Sequence, residues 1–291
     1  MSIIQALEQS PTFLYLSIGI LGLLVGSFLN VVVYRLPIML QKNWRQECLI
    51  FLEQEDTKLS TSEIFNLSQP RSRCPYCQHP IGALENIPVL SYIFLKGQCK
   101  SCHKPISIRY PSVELITAIL SIVIAIQFGV SLQTCVALLF TWALICLTLI
   151  DFDTQLLPDS ITLPLLWFAL GISLFEIFVA PQSALIGALA GYLSLWSVFW
   201  LFKLVTGKEG MGYGDFKLLA AIGALLGWKM LPLVIMLSAL VGATIGLTLI
   251  IIKGRDKNVP MPFGPYLSIA AFIALIWGEK INLTYIQFVG L

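Results

Sequence analysis

Charge is what this sequence has least of. Only 12% of its 291 residues are Asp, Glu, Lys or Arg, about half the roughly 25% usual in a soluble domain. That scarcity excludes an ordinary soluble enzyme. A basic segment is also missing at the start, where Met1 to Pro11 holds a single charged side chain, Glu8. No small-residue cleavage site follows the first apolar run, so that run is expected to be a retained helix rather than a removed signal. No inverted repeat, low-complexity tract or glycine-rich turn of the nucleotide-binding type is visible. The first of these absences argues against a repeat-built transporter.

Apolar runs are what the sequence does have. Hydrophobic residues make up 57% and mean hydropathy is +0.84. A spanning helix needs about 20 apolar residues. Eight candidates run over 12–34, 111–129, 132–150, 161–180, 183–204, 215–228, 231–252 and 264–285, the sixth being short. The expected fold is an all-α polytopic membrane protein of about eight transmembrane helices. Residues 40–68 mix charge with Trp44, Leu49, Ile50, Phe51, Leu52 and Ile64, which predicts one or two short helices on the membrane surface. Three regions are expected: 1–35 as the first transmembrane helix, 36–110 as a small cytoplasmic domain, and 111–291 as the membrane core.

Orientation follows from where Lys and Arg fall. With 36–110 in the cytoplasm, sixteen of the eighteen basic residues lie on that side: ten between Arg35 and Arg109, then Lys203, Lys208, Lys217, Lys253, Arg255 and Lys257. Only Lys229 and Lys280 fall outside. Both termini are then external, periplasmic in a Gram-negative cell.

The polar segment carries Cys74-Pro-Tyr-Cys77 and Cys99-Lys-Ser-Cys102, 21 residues apart. Two Cys-x-x-Cys pairs at this spacing suit tetrahedral Zn²⁺ held by four thiolates. Four protein ligands leave no open position, so the metal would be structural. The site would carry a charge of about −2, and Arg71, Arg73, Lys96, Lys100 and Lys104 lie near in sequence to offset it. Disulfides or a redox pair are the alternative, which a reducing cytoplasm disfavours. His79 and His103 follow the two pairs and are read as surface residues. Cys48, Cys135 and Cys146 are read as small buried hydrophobes.

Two acids stand at the edges of apolar runs. Asp151 ends the third, and Asp215 opens the sixth after Gly212-Tyr-Gly214. Ionisable residues at that depth are a functional signal by default, although a structural ion pair is the bland alternative. The threading brings both to the cytoplasmic level. Paired carboxylates there can share one proton and activate water against a peptide bond. Glycines at 212 and 214 would let another backbone approach closely. Asp153 and Asp159 lie in the following loop, Asp159 as a candidate helix cap. Lys217 would pair with an acid or reach for the interface.

These residues resemble the type IV prepilin peptidases, within the Gly-x-Gly-Asp membrane aspartyl proteases. The resemblance rests on Gly212-Tyr-Gly-Asp215, the Asp151-to-Asp159 loop and the double Cys-x-x-Cys. Gly26-Ser-Phe-Leu-Asn-Val-Val-Val-Tyr-Arg-Leu-Pro37, Arg109-Tyr-Pro-Ser-Val-Glu114 and Pro262-Phe-Gly-Pro-Tyr266 agree with it. It implies that Asp151 and Asp215 are catalytic; Gly212, Gly214, Asp153, Asp159 and Lys217 are read beside them as the supporting loop, with solvent-facing or capping roles the alternative for Asp153 and Asp159. It implies that Cys74, Cys77, Cys99 and Cys102 hold zinc. It implies cleavage of a basic leader from prepilins and pseudopilins at the cytoplasmic face of the inner membrane, then S-adenosylmethionine-dependent methylation of the new N-terminus. The expected partners are those substrates and membrane lipid, without nucleic acid. Asp153, Asp159 and Glu209 would attract a basic leader, so reversing them should raise KM. A proton-coupled transporter is the rival from another class, and a zinc scaffold or thiol-redox protein a third.

Overall fold

The computed structural model describes residues 3–53, 65–253 and 261–289. Lys58, Ile64, Arg255 and Lys257, which entered the orientation argument and the reading of 40–68, lie outside them. The described residues form ten α-helices: α1 (Ile3–Gln9), α2 (Pro11–Phe51), α3 (Leu90–Phe94), α4 (Arg109–Phe128), α5 (Leu132–Thr154), α6 (Asp159–Ser173), α7 (Pro181–Thr206), α8 (Tyr213–Leu226), α9 (Leu231–Lys253) and α10 (Gly264–Val289). Each of the eight apolar runs is one of these helices. Six helices are long and apolar enough to cross a membrane. The 15 residues of α6 and 14 of α8 reach only about 21–23 Å at 1.5 Å per residue.

One expectation about 40–68 is corrected. Instead of short surface helices after residue 34, α2 continues unbroken to Phe51, 41 residues in all. At 1.5 Å per residue that is about 60 Å, twice the apolar thickness of a bilayer. Helix formers such as Leu, Met, Gln, Lys, Arg and Glu fill the second half, and Pro37 sits inside the helix without ending it.

The chain forms two compact units, Met1–Val130 and Ser131–Leu291. In the first, α2 packs on α4 through glycines at helical spacing. A Cβ at Gly22 would lie 2.7 Å from the Ala118 Cα, and one at Gly26 would lie 2.7 Å from the Glu114 Cα. Small residues of this kind let two membrane helices approach at backbone distance. At the end of the apolar stretch, Arg35 is buried. Its guanidinium donates to the carbonyls of Asn66 (2.9 Å) and Pro70 (2.6 Å), which ties the start of the polar segment to α2. Glu114, buried on α4, accepts from the Val89 N–H at 2.8 Å and so holds the start of α3.

In the second unit α8 is the central element. Every residue from Leu218 to Leu225 is buried, the signature of a helix apolar on all sides. It packs against α6, α7 and α10. A Cβ at Gly187 of α7 would overlap the Gly223 carbonyl of α8. Tyr192, Phe199, Tyr213 and Phe216 form an aromatic cluster where α7 meets the start of α8, with ring centroids 5.3–5.8 Å apart.

Candidate active site and metal centre

Asp151 lies in the last turn of α5 and is buried. One carboxylate oxygen, Oδ2, accepts the Gly264 backbone N–H at 2.9 Å. Gly264 is the first residue of α10, whose opening N–H groups have no partner within the helix. The acid at the end of one helix therefore caps another that begins 113 residues later. Asp215 sits in the first turn of α8 and is equally buried. The positive end of that helix dipole favours a carboxylate there. Its Oδ1 is buried with no hydrogen-bond partner.

Leu157 touches the backbone beside both acids. A Cβ on Gly214 would lie 2.6 Å from the Leu157 Cβ, and one on Gly264 would lie 3.1 Å from the Leu157 Cδ2. One side chain thus packs against both the turn that presents Asp215 and the helix start that holds Asp151. Two buried carboxylates, one of them with an unpartnered oxygen, are groups able to exchange protons with a substrate.

The supporting loop is placed residue by residue. Gly212 precedes α8 in extended conformation. Asp159 is the first residue of α6 rather than its cap; Pro158 occupies the cap position. The Lys217 ammonium donates to both Asp159 oxygens at 2.7 Å, tying the starts of α6 and α8. Glu209 pairs with Lys203 at 2.7 Å. Two of the three acids expected to attract a basic leader are thus already offset by lysines, and Asp153 is exposed. Gly264 and Leu157 were not singled out in sequence. The only signal was the Pro262-to-Tyr266 segment, which carried no assigned role.

The four cysteines gather in the first unit. Their sulfurs all lie within 4.8 Å of one another. Cys74 and Cys102 are 3.8 Å apart, and Cys77 and Cys99 are 3.9 Å apart. Tetrahedral coordination with Zn–S of about 2.3 Å demands sulfur separations of about 3.8 Å, so the cluster fits such an ion. The two knuckles repeat each other at an offset of 25 residues. The Cys74 and Cys99 N–H groups donate to the carbonyls of His79 and Lys104, each at 2.9 Å. Arg73 bridges Pro80 as Gln98 bridges Pro105.

N–H groups of Cys77 and Tyr76 hold the Cys74 thiol down at about 6. Cys102, although the Lys104 N–H favours its thiolate, is raised to about 11 by burial and the neighbouring sulfurs. Four sulfurs this close shed all their protons only with a cation among them. Glu85 spans the knuckles, 3.3 Å from His79 and 3.4 Å from Lys100. The Gly82 N–H, first, and then Lys100 hold its carboxyl below the usual range. His79 therefore contacts Glu85, and His103 is exposed. Of the lone cysteines, Cys146 is buried as expected, whereas Cys48 and Cys135 are exposed.

No solved structure matches the chain. Residues 20–128 match the bacterial peptidase A24 N-terminal domain, and residues 138–247 match the type IV leader peptidase family. These spans fall within the two compact units. A prepilin leader peptidase/N-methyltransferase of Aeromonas hydrophila is 52% identical over 287 residues, covering 98% of this chain and 99% of its own. A protein of the same name from Pseudomonas aeruginosa is 53% identical, covering 100% and 99%. Another, from Legionella pneumophila, is 45% identical, covering 96% of each. With half its residues shared along its whole length, and its two compact units matching the two halves of that architecture, the chain belongs to the type IV leader peptidase family.

Proposed function

We propose that this chain cleaves the leader from prepilins and methylates the N-terminus so exposed, the two activities named for its relatives. It is a multi-pass membrane enzyme. The observation that carries the reading is the pair of buried acids, Asp151 and Asp215, gathered around Leu157 and Gly264. Nothing in the family or the fold supports a transporter.

The pair works by proton exchange. One carboxylate, ionised, takes a proton from water as the water oxygen bonds to the scissile carbonyl carbon. Its protonated partner gives a proton to the carbonyl oxygen. The tetrahedral intermediate then collapses. The C–N bond breaks, the amine leaves with a proton, and the leader carries off the new carboxylate. Burial and exclusion of bulk water strengthen each of these interactions. Gly212 gives the substrate backbone access, while Gly214 makes room for Leu157. The Asp159–Lys217 ion pair fixes the start of α8, and Asp153 contributes negative charge at the mouth.

The domain reading assigns 1–35 to a first membrane helix, 36–110 to a cytoplasmic domain and 111–291 to the protease core. Cys74, Cys77, Cys99 and Cys102 hold structural zinc, and the separations of their sulfurs support this. The bias of Lys and Arg supports a cytoplasmic active site in the inner membrane, where a basic leader remains when its apolar helix inserts. Pseudopilins are substrates of the same chemistry. S-adenosylmethionine supplies the methyl group. The described residues include no strand-to-helix glycine turn to hold it, so no residue is assigned to it.

Purified protein incubated with a purified prepilin tests the proposal. Mass spectrometry should find the leader removed, and a further methyl group only when S-adenosylmethionine is added. An intact prepilin would overturn it.

A further inference from the structure

We infer that Gly264 is a positioning residue for the aspartate pair and that Leu157 is the wedge that couples it to Asp215. The inference rests on the reading of Asp151 and Asp215 as the catalytic pair.

A Cβ built on Gly264 would lie 2.6 Å from Asp151 Oδ2 and 3.3 Å from its carboxyl carbon. The carboxylate occupies the place a side chain would take. Even the smallest substituent at 264 must push Asp151 away. The same position supplies the 2.9 Å N–H bond to Oδ2. One residue therefore sets both where this carboxylate lies and which oxygen is engaged, leaving the other to face a substrate.

Leu157 supplies the coupling. Leu157 Cδ2 lies 3.1 Å from the same hypothetical Cβ, while Leu157 Cβ lies 2.6 Å from a hypothetical Cβ at Gly214. Gly264, Leu157 and Gly214 form a contiguous stack from the start of α10 to the start of α8. A displacement at either end moves the other carboxylate. Bulk is absent at both glycines for the same reason: Leu157 fills the space between them. Catalytic geometry of this kind tolerates errors of only about 0.5 Å.

The test is Gly264→Ala, with Gly171→Ala as control, since a Cβ at Gly171 meets nothing within 4 Å. Two reactions are followed in detergent: cleavage of a prepilin, and methylation of a pilin supplied already cleaved. Gly264→Ala should lower kcat for cleavage at least tenfold with KM within about twofold, the split expected when transition-state geometry is lost and ground-state binding kept. Methylation of the pre-cleaved pilin should persist at the control rate, which a misfolded protein would not allow. Leu157→Phe should give the same pattern from the other side of the stack. Normal cleavage by Gly264→Ala, or equal loss of both reactions in both variants, overturns the inference. Asp151→Asn run in parallel keeps the two ideas apart. If it still cleaves, the catalytic reading itself fails; if it is dead while Gly264→Ala is normal, only the positioning role fails.

Discussion

Individual side chains at the site divide into those whose charge is engaged and those whose charge is not. Asp159 is held by Lys217 at 2.7 Å, on a pair with side chains 55% and 27% exposed. Such pairs are worth about 1 kcal/mol or less. Asp159→Asn should therefore change KM for a basic leader by less than about fivefold, measured in a cleavage series with leaders of varied charge. A larger rise would mean that Asp159 meets the leader despite its lysine. Asp151 and Asp215 were legible in sequence because an acid at the edge of an apolar run stands out. Their holders did not. The Gly264 bond spans 113 positions, and neither a glycine nor a leucine in a loop signals which carboxylate it will touch.

At the scale of helices, the apolar runs located all eight long helices, the 14-residue α8 included, although six of them are long and apolar enough to cross a membrane. The polar half of α2 was not readable, because a helix that leaves the membrane loses the hydropathy that marked its start. The contact of α7 with α8 was hidden for a related reason: close packing depends on which glycines face each other. Gly187 and Gly223 do, each filling the space a Cβ would need on the other. Gly187→Val should destabilise the protein by about 1–3 kcal/mol through overpacking. A lowered melting temperature in detergent relative to Gly171→Ala would show it, and an unchanged one would remove the proposed contact. The knuckles make their own prediction. Cys74→Ser removes one of four sulfurs that lie within 4.8 Å, so the purified variant should carry little zinc and lose order in the first unit. Full zinc content by elemental analysis would contradict a four-cysteine site.

For the molecule as a whole, sidedness is the property most open to test. Cys48 is exposed on the part of α2 that runs beyond a bilayer's thickness. In the orientation proposed here, a membrane-impermeant maleimide should label Cys48 in inverted vesicles and not in right-side-out ones, with Cys48→Ser as the blank. The reverse pattern would turn the protein over and put the aspartates on the wrong face for a cytoplasmic leader. The composition announced a membrane protein at once, and the Cys-x-x-Cys pairs announced their cluster. Sequence spacing did not reveal the 25-residue repeat of knuckle geometry, since it lies in backbone hydrogen bonds between His79, Lys104 and their cysteines.

The central claim is that Asp151 and Asp215 act as one unit. Cleavage of a purified prepilin by Asp151→Asn, by Asp215→Asn and by the double variant tests it most directly, with methylation of a pre-cleaved pilin as proof of folding. Residues that act as a unit lose activity non-additively. The prediction is that each single variant is as inactive as the double, at least about a thousandfold below the parent, while methylation continues. Substantial cleavage by either single variant, or losses that multiply in the double, would contradict a shared-proton pair.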